Sequence, residues 1–158
     1  MQISDVHALA LSMLNSDLSD YDSTKLMTYT NAGIGYVQNL RIEGKDPLVK
    51  TQLTITGTIS RPSNFFGFFP PSSAYPLIAT GTNISLAPGA PPSVDFFYSQ
   101  KAARVSNVTD AFPLPDEYSD FVAYYISIRL QSDNSMDVTQ DLSILANDVN
   151  AFIKAKGG

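Results

Sequence analysis

Residues 116–155 read DEYSDFVAYYISIRLQSDNSMDVTQDLSILANDVNAFIKA, and they decide the fold. Val138, Leu142, Leu145, Val149 and Phe152 recur at steps of four, three, four and three. That spacing draws one apolar stripe along a helix, which must be buried against something. The preceding stretch, 116–131, supplies Phe121, Val122, Tyr125 and Ile128 as a partner face. It is entered through Pro113-Leu114-Pro115, and Asp133-Asn134-Ser135 reads as the turn between the two. An antiparallel helix pair over 116–132 and 136–155 is expected. Its residues form a packing surface and carry no catalytic constellation.

Working back toward the N-terminus, residues 3–15 form a first helix, with Ile3, Val6, Ala10, Met13 and Leu14 on one face and Ser4 and Asp5 placed to cap it. A second helix spans 23–43, with Leu26, Tyr29, Gly33, Val37 and Leu40 along one side. Gly33 and Gly35 each cost about 1 kcal/mol relative to alanine inside a helix, which suggests close approach of a neighbour. Gly44 and Asp46-Pro47 end this helix. The period then changes. In TQLTITGTIS (51–60), Leu53, Ile55 and Ile59 alternate with threonines, the pattern of a half-buried strand. Residues 60–100 hold seven of the ten prolines and read as loops with short strands at 77–80, 83–86 and 94–100. Asp95-Phe96-Phe97-Tyr98 is placed to pair with the first strand. The expected class is mainly α with a β insert (α+β). One domain over 1–158 would hold a bundle of about four helices, with a small antiparallel β/loop insertion, about 50–112, between the second and third.

Composition narrows the chemistry. Charged residues make up 16% of the 158, below the roughly 25% of ordinary globular chains, which suits a surface covered by neighbours. Fifteen acids, thirteen of them Asp, face ten Lys and Arg, for a net charge of −5. There is no basic run to displace counterions from a nucleic acid. With no cysteine, disulfides, thiolate metal sites and Cys nucleophiles are excluded. The opening MQISDVHALALSMLNSD lacks the basic lead of a secretion signal, and no apolar run reaches the roughly 18 residues of a membrane span.

The catalytic templates come back empty. His7 is the single histidine, read as a partly exposed helix residue; Ser4 and Asp5 beside it cannot form a relay from a helix start. Asp133, Ser135 and Asp137 are spaced like the opening of a calcium loop. Val138 stands where that loop needs glycine and Ile144 where it needs glutamate. Gly33-Ile34-Gly35 lies within a helix and is no nucleotide-binding turn. Asn83-Ile84-Ser85 and Asn107-Val108-Thr109 match the glycosylation triplet without further support. No cofactor, metal ligand or catalytic residue is assigned, and no enzymatic activity is expected. The residues singled out are Phe65, Phe66, Phe68 and Phe69, an aromatic group around Gly67 flanked by proline and read as a loop. Exposed aromatic clusters mark contact surfaces.

Three stretches carry a family resemblance. KLMTYTNAGIGYVQNLRIEGKDP (25–47) contributes Leu26, Tyr29, Asn31, Ala32, Arg41, Asp46 and Pro47; TQLTITGTI leads to Arg61-Pro62; FPLPDEYSDFVAYYISIRLQSDNSMDVTQDLSILANDVNAF closes the layout. In these the chain resembles the head–tail adaptor (connector, or neck) proteins of tailed bacteriophages. The resemblance implies a structural virion protein, made in the bacterial cytoplasm and placed at the head–tail neck. It would be a homo-oligomer, usually a ring of twelve, bound to the portal and to tail or adjacent neck proteins. DNA would pass through its channel without specific binding. Adaptors often wedge a long C-terminal segment into the portal. Here only Lys154 to Gly158 follow the last apolar residues, so Lys154 and Lys156 join the aromatic group as expected partner contacts. A tail-completion or tail-terminator ring protein is the alternative, and a small hydrolase using unplaced Asp residues the remote one.

Overall fold

In the computed structural model the helix Ser119–Ser132 packs against three others at once. The structure describes residues 1–70, 75–132 and 137–157. The turn expected at Asp133-Asn134-Ser135, the first two residues of the calcium-like spacing, Pro71, and Met136 at the expected start of the last helix lie outside the described residues. The chain divides into two compact units, Met1–Asp46 with Ala102–Gly158, and Pro47–Lys101.

The first unit contains α1 (Ile3–Leu14), α2 (Ser23–Glu43), α3 (Ser119–Ser132) and α4 (Thr139–Ala155). Helix α3 buries Val122, Ala123, Tyr125, Ile126, Ser127, Ile128 and Leu130. A helix buried on most of its sides belongs at a centre, and α1, α2 and α4 all pack on it. The stripe of α4 faces inward, with Leu145 and Val149 fully buried. Phe121, early in α3, meets Phe152, late in α4, at 5.5 Å between ring centroids, which makes the two helices antiparallel. Residues 116–118 are a 3-10 turn that leads into α3 from Pro115.

Glycines and caps explain the joints. A Cβ on Gly33 would come within 3.0 Å of the Tyr125 ring, so α2 and α3 approach closely there; around Gly35 the space is open. Asp22 caps α2 by accepting from the Lys25 N–H at 2.8 Å. At the other end, the Asp46 and Lys45 N–H groups return to the Arg41 and Ile42 carbonyls, with Lys45 at φ 58°. That closes the helix as a Schellman turn on Lys45. Gly44 stays in the right-handed region and instead makes room for Ile153. At α1, Asp5 accepts from the Gln2 N–H, and the Val108 and Asp110 carbonyls receive the Ser4 and Ile3 N–H groups. Ser4 therefore does not cap the helix.

The second unit holds six strands: β1 (Lys50–Ile55), β2 (Thr58–Ser60), β3 (Phe65–Phe68), β4 (Leu77–Ala79), β5 (Asn83–Leu86) and β6 (Val94–Gln100). They form two three-stranded antiparallel sheets, ordered β1-β6-β3 and β2-β5-β4. Residues 95–98 do pair with the first strand, Leu53 opposite Phe96, and Ile55 lies opposite Val94. A separate core gathers Ile55, Phe65, Ile84, Val94, Phe96 and Tyr98.

The expected helical bundle with one small β/loop insertion is thus corrected. The strands between α2 and α3 in the chain build two sheets around a core of their own. Prolines caused the misreading. Pro62, Pro70, Pro76, Pro88, Pro91 and Pro92 all fall in connections between strands, where a missing N–H costs no ladder bond. They punctuate the strands rather than replace them. The aromatic stretch is likewise strand β3 and not a loop: its bulge between Phe65 and Gly67 breaks the alternation that would have marked it.

Candidate functional site

The densest polar group of the first unit sits where α2 ends. Asp46 Oδ2 accepts from Arg41 Nε at 2.7 Å and from the Tyr118 hydroxyl at 2.6 Å. Arg41 Nη1 donates to Gln38 Oε1 at 2.9 Å, and the guanidinium lies 4.4 Å over the Tyr118 ring. Arg41 is 3% exposed, Asp46 1% and Tyr118 0%. Burial, reinforced by the hydrogen bond to Asp46, pushes the Tyr118 phenol up to about 12. A charge buried with its counter-ion, a stacked ring and further hydrogen bonds is held by geometry. The group joins the end of α2 to the 3-10 turn before α3, and its chemistry is that of a clamp.

His7 was read as partly exposed but is 3% exposed. The Thr30 hydroxyl donates to the Leu26 carbonyl at 2.8 Å, so its oxygen accepts from His7 Nε2–H at 2.8 Å. Burial lowers the His7 pKa below its ordinary value. The ring is a neutral tie between α1 and α2.

A polar groove of about 550 Å³ runs along the start of α2, facing residues 104–108. Asn31 fixes the far wall: its Nδ2 donates to the Val105 carbonyl and its Oδ1 accepts from the Val105 N–H, both at 2.9 Å. The Ser106 and Asn107 N–H groups both donate to Asp110 and hold its carboxyl below the usual range. Sequence reasoning missed this groove. Its signal was Asn31 in mid-helix, a residue that prefers bonds to other backbone.

The singled-out residues separate. Phe65 is 5% exposed and stacks on Tyr98 at 5.4 Å, so it is core. Phe68 is half-buried and meets Phe96 edge-on at 5.6 Å. Phe69 is half-buried, its N–H donating to the Phe97 carbonyl. Phe66 alone points outward, 48% exposed. Lys154 and Lys156, in the first unit, are exposed; Lys156 forms an ion pair with Glu117 and lies 5.3 Å from the Phe152 ring. Among the described residues no three His, Cys, Asp or Glu side chains gather to hold a metal, and no helix is long and apolar enough to cross a membrane.

The sequence matches no protein-family model and no curated protein.

Proposed function

We propose that this chain is a ring-forming structural subunit of a phage neck, a head–tail adaptor that links the portal to the tail and lines the DNA exit channel. One observation carries the reading. Arg41 and Asp46 come from one of the stretches that resemble adaptors and Tyr118 from another, and the three meet in a single buried clamp. A signature made of framework residues is what a family selected for shape would keep. The low share of charged residues, 16%, and the outward Phe66, Leu18 and Ile78 supply material for contacts with neighbours. In a closed ring each copy presents two different faces to its neighbours.

Negative-stain microscopy of the protein, alone and mixed with the portal protein from the same genome, tests this. Rings seated on the portal support the proposal. Monomers that leave the portal bare contradict it; monomers in the protein alone do not, because a ring can form on a portal template.

A further inference from the structure

We infer that the groove between α2 and residues 104–108 is a docking site for an extended acidic peptide segment of a partner protein, with Arg104 as the residue that takes its carboxylate. Of the four arginines, three are engaged within the chain. Arg41 is held by Asp46, Arg61 donates to the Thr80 carbonyl and covers the Phe65 ring, and Arg129 covers the Tyr29 ring. Arg104 stands on the groove wall, exposed, with no hydrogen bond or ring contact among the described residues.

Among the described residues no carboxylate lines the groove, although the chain carries fifteen. The two acids next to it in sequence keep their charge but turn their carboxylates onto backbone N–H groups: Asp22 accepts from Lys25 and Asp110 from Ser106 and Asn107. A guanidinium fork without an internal partner matches a carboxylate in two parallel hydrogen bonds. Around it Ser23, Thr24 and Ser106 offer hydroxyls, and Met27 and the exposed Val108 offer apolar surface.

Length argues for a chain segment rather than a small anion. From Ser23 to Asn31 the helical wall runs about 12 Å, close to the span of four extended residues. The volume, about 550 Å³, lies within the range of ordinary ligand sites. The far wall is preset by the two-way Asn31–Val105 bonds, so binding need not order it.

The test is amide chemical-shift titration of the full chain with the blocked tetrapeptide Ala-Leu-Asp-Ala, its Asn counterpart, and sodium acetate. The expected result is saturable shifts confined to residues 23–31 and 104–108 with the Asp peptide. At least tenfold weaker binding is expected for the Asn peptide and for Arg104→Gln, whose other amide shifts should stay in place because the side chain is exposed. Equal response to the Asn peptide, or no response at millimolar peptide, would overturn the assignment. So would equal response to acetate, which would leave only a small-anion site. Concentration-dependent shifts of the same residues without peptide would also overturn it, by giving the groove to a second copy of the chain.

Discussion

Removing the Asp46 carboxylate should cost the helical unit a large part of its stability. Arg41 and Asp46 are 3% and 1% exposed. In Asp46→Ala the guanidinium loses its counter-ion and retains the Gln38 contact and the Tyr118 ring. Breaking one side of a buried pair costs about 3–5 kcal/mol, a large part of the roughly 5–15 kcal/mol that holds a domain. Tyr118→Phe removes one hydrogen bond to a charged acceptor and should cost about 1.5–3 kcal/mol. Volume-matched Arg41→Met with Asp46→Leu should recover most of the loss, because it removes both charges. Urea unfolding followed by far-UV circular dichroism, which reports mainly the helices, reads all of these. With a slope of about 2 kcal/mol per molar, Asp46→Ala should lower the midpoint by about 2 M. A loss under about 1 kcal/mol would refute the clamp and place Arg41 in contact with water.

Other outcomes follow from single positions. Gly35→Ala should stabilise by about 1 kcal/mol, since the space there is open and alanine favours helix; Gly33→Ala should destabilise, because its methyl meets the Tyr125 ring, and thermal melts separate the two. Phe65→Ser should destabilise the β unit by about 3 kcal/mol or more, whereas Phe66→Ser should leave its melting unchanged within about 0.5 kcal/mol. The folded pKa of His7 lies below the ordinary 6.5, so the unfolded chain binds the extra proton and stability should fall as pH drops below about 6.5. Urea midpoints at pH 7.5 and 5 read this, and His7→Gln should flatten that part of the profile. For Tyr118, raised to about 12, the unfolded phenol ionises first. Stability should therefore fall as pH rises from about 10 toward 12, and Tyr118→Phe should remove its share of that loss.

Helices α1 and α4 were legible because each writes its period plainly. The stripe from Val138 to Phe152 and the entry through Pro113 and Pro115 place α4 and α3 well. The central position of α3 was legible only in part: burial on nearly all sides blurs a one-face pattern. Strands β1, β4, β5 and β6 showed through alternation or short β-branched runs. Strand β3 did not, because Phe65, Phe66, Gly67 and Phe68 straddle a bulge and no polar residue marks the outer face. The second sheet was not legible as a sheet, because Ile59 of β2 reads as a continuation of the run through Leu53 and Ile55; its other two strands, at 77–79 and 83–86, read as isolated short strands among the prolines. The polar groups lie further from reach. Asp46 and Tyr118 are 72 residues apart, and Asn31 and Val105 are 74, so only the folded chain brings them together. His7 reads as a helix residue, but its burial depends on Thr30 across the interhelical contact.

The mass of the assembled particle tests the structural role most directly. Mass photometry of the portal from the same genome, before and after addition of this chain, should show one discrete step of about 205 kDa, twelve copies at 17.1 kDa. A portal whose mass does not change, at concentrations where the chain is folded and in excess, would contradict a neck role.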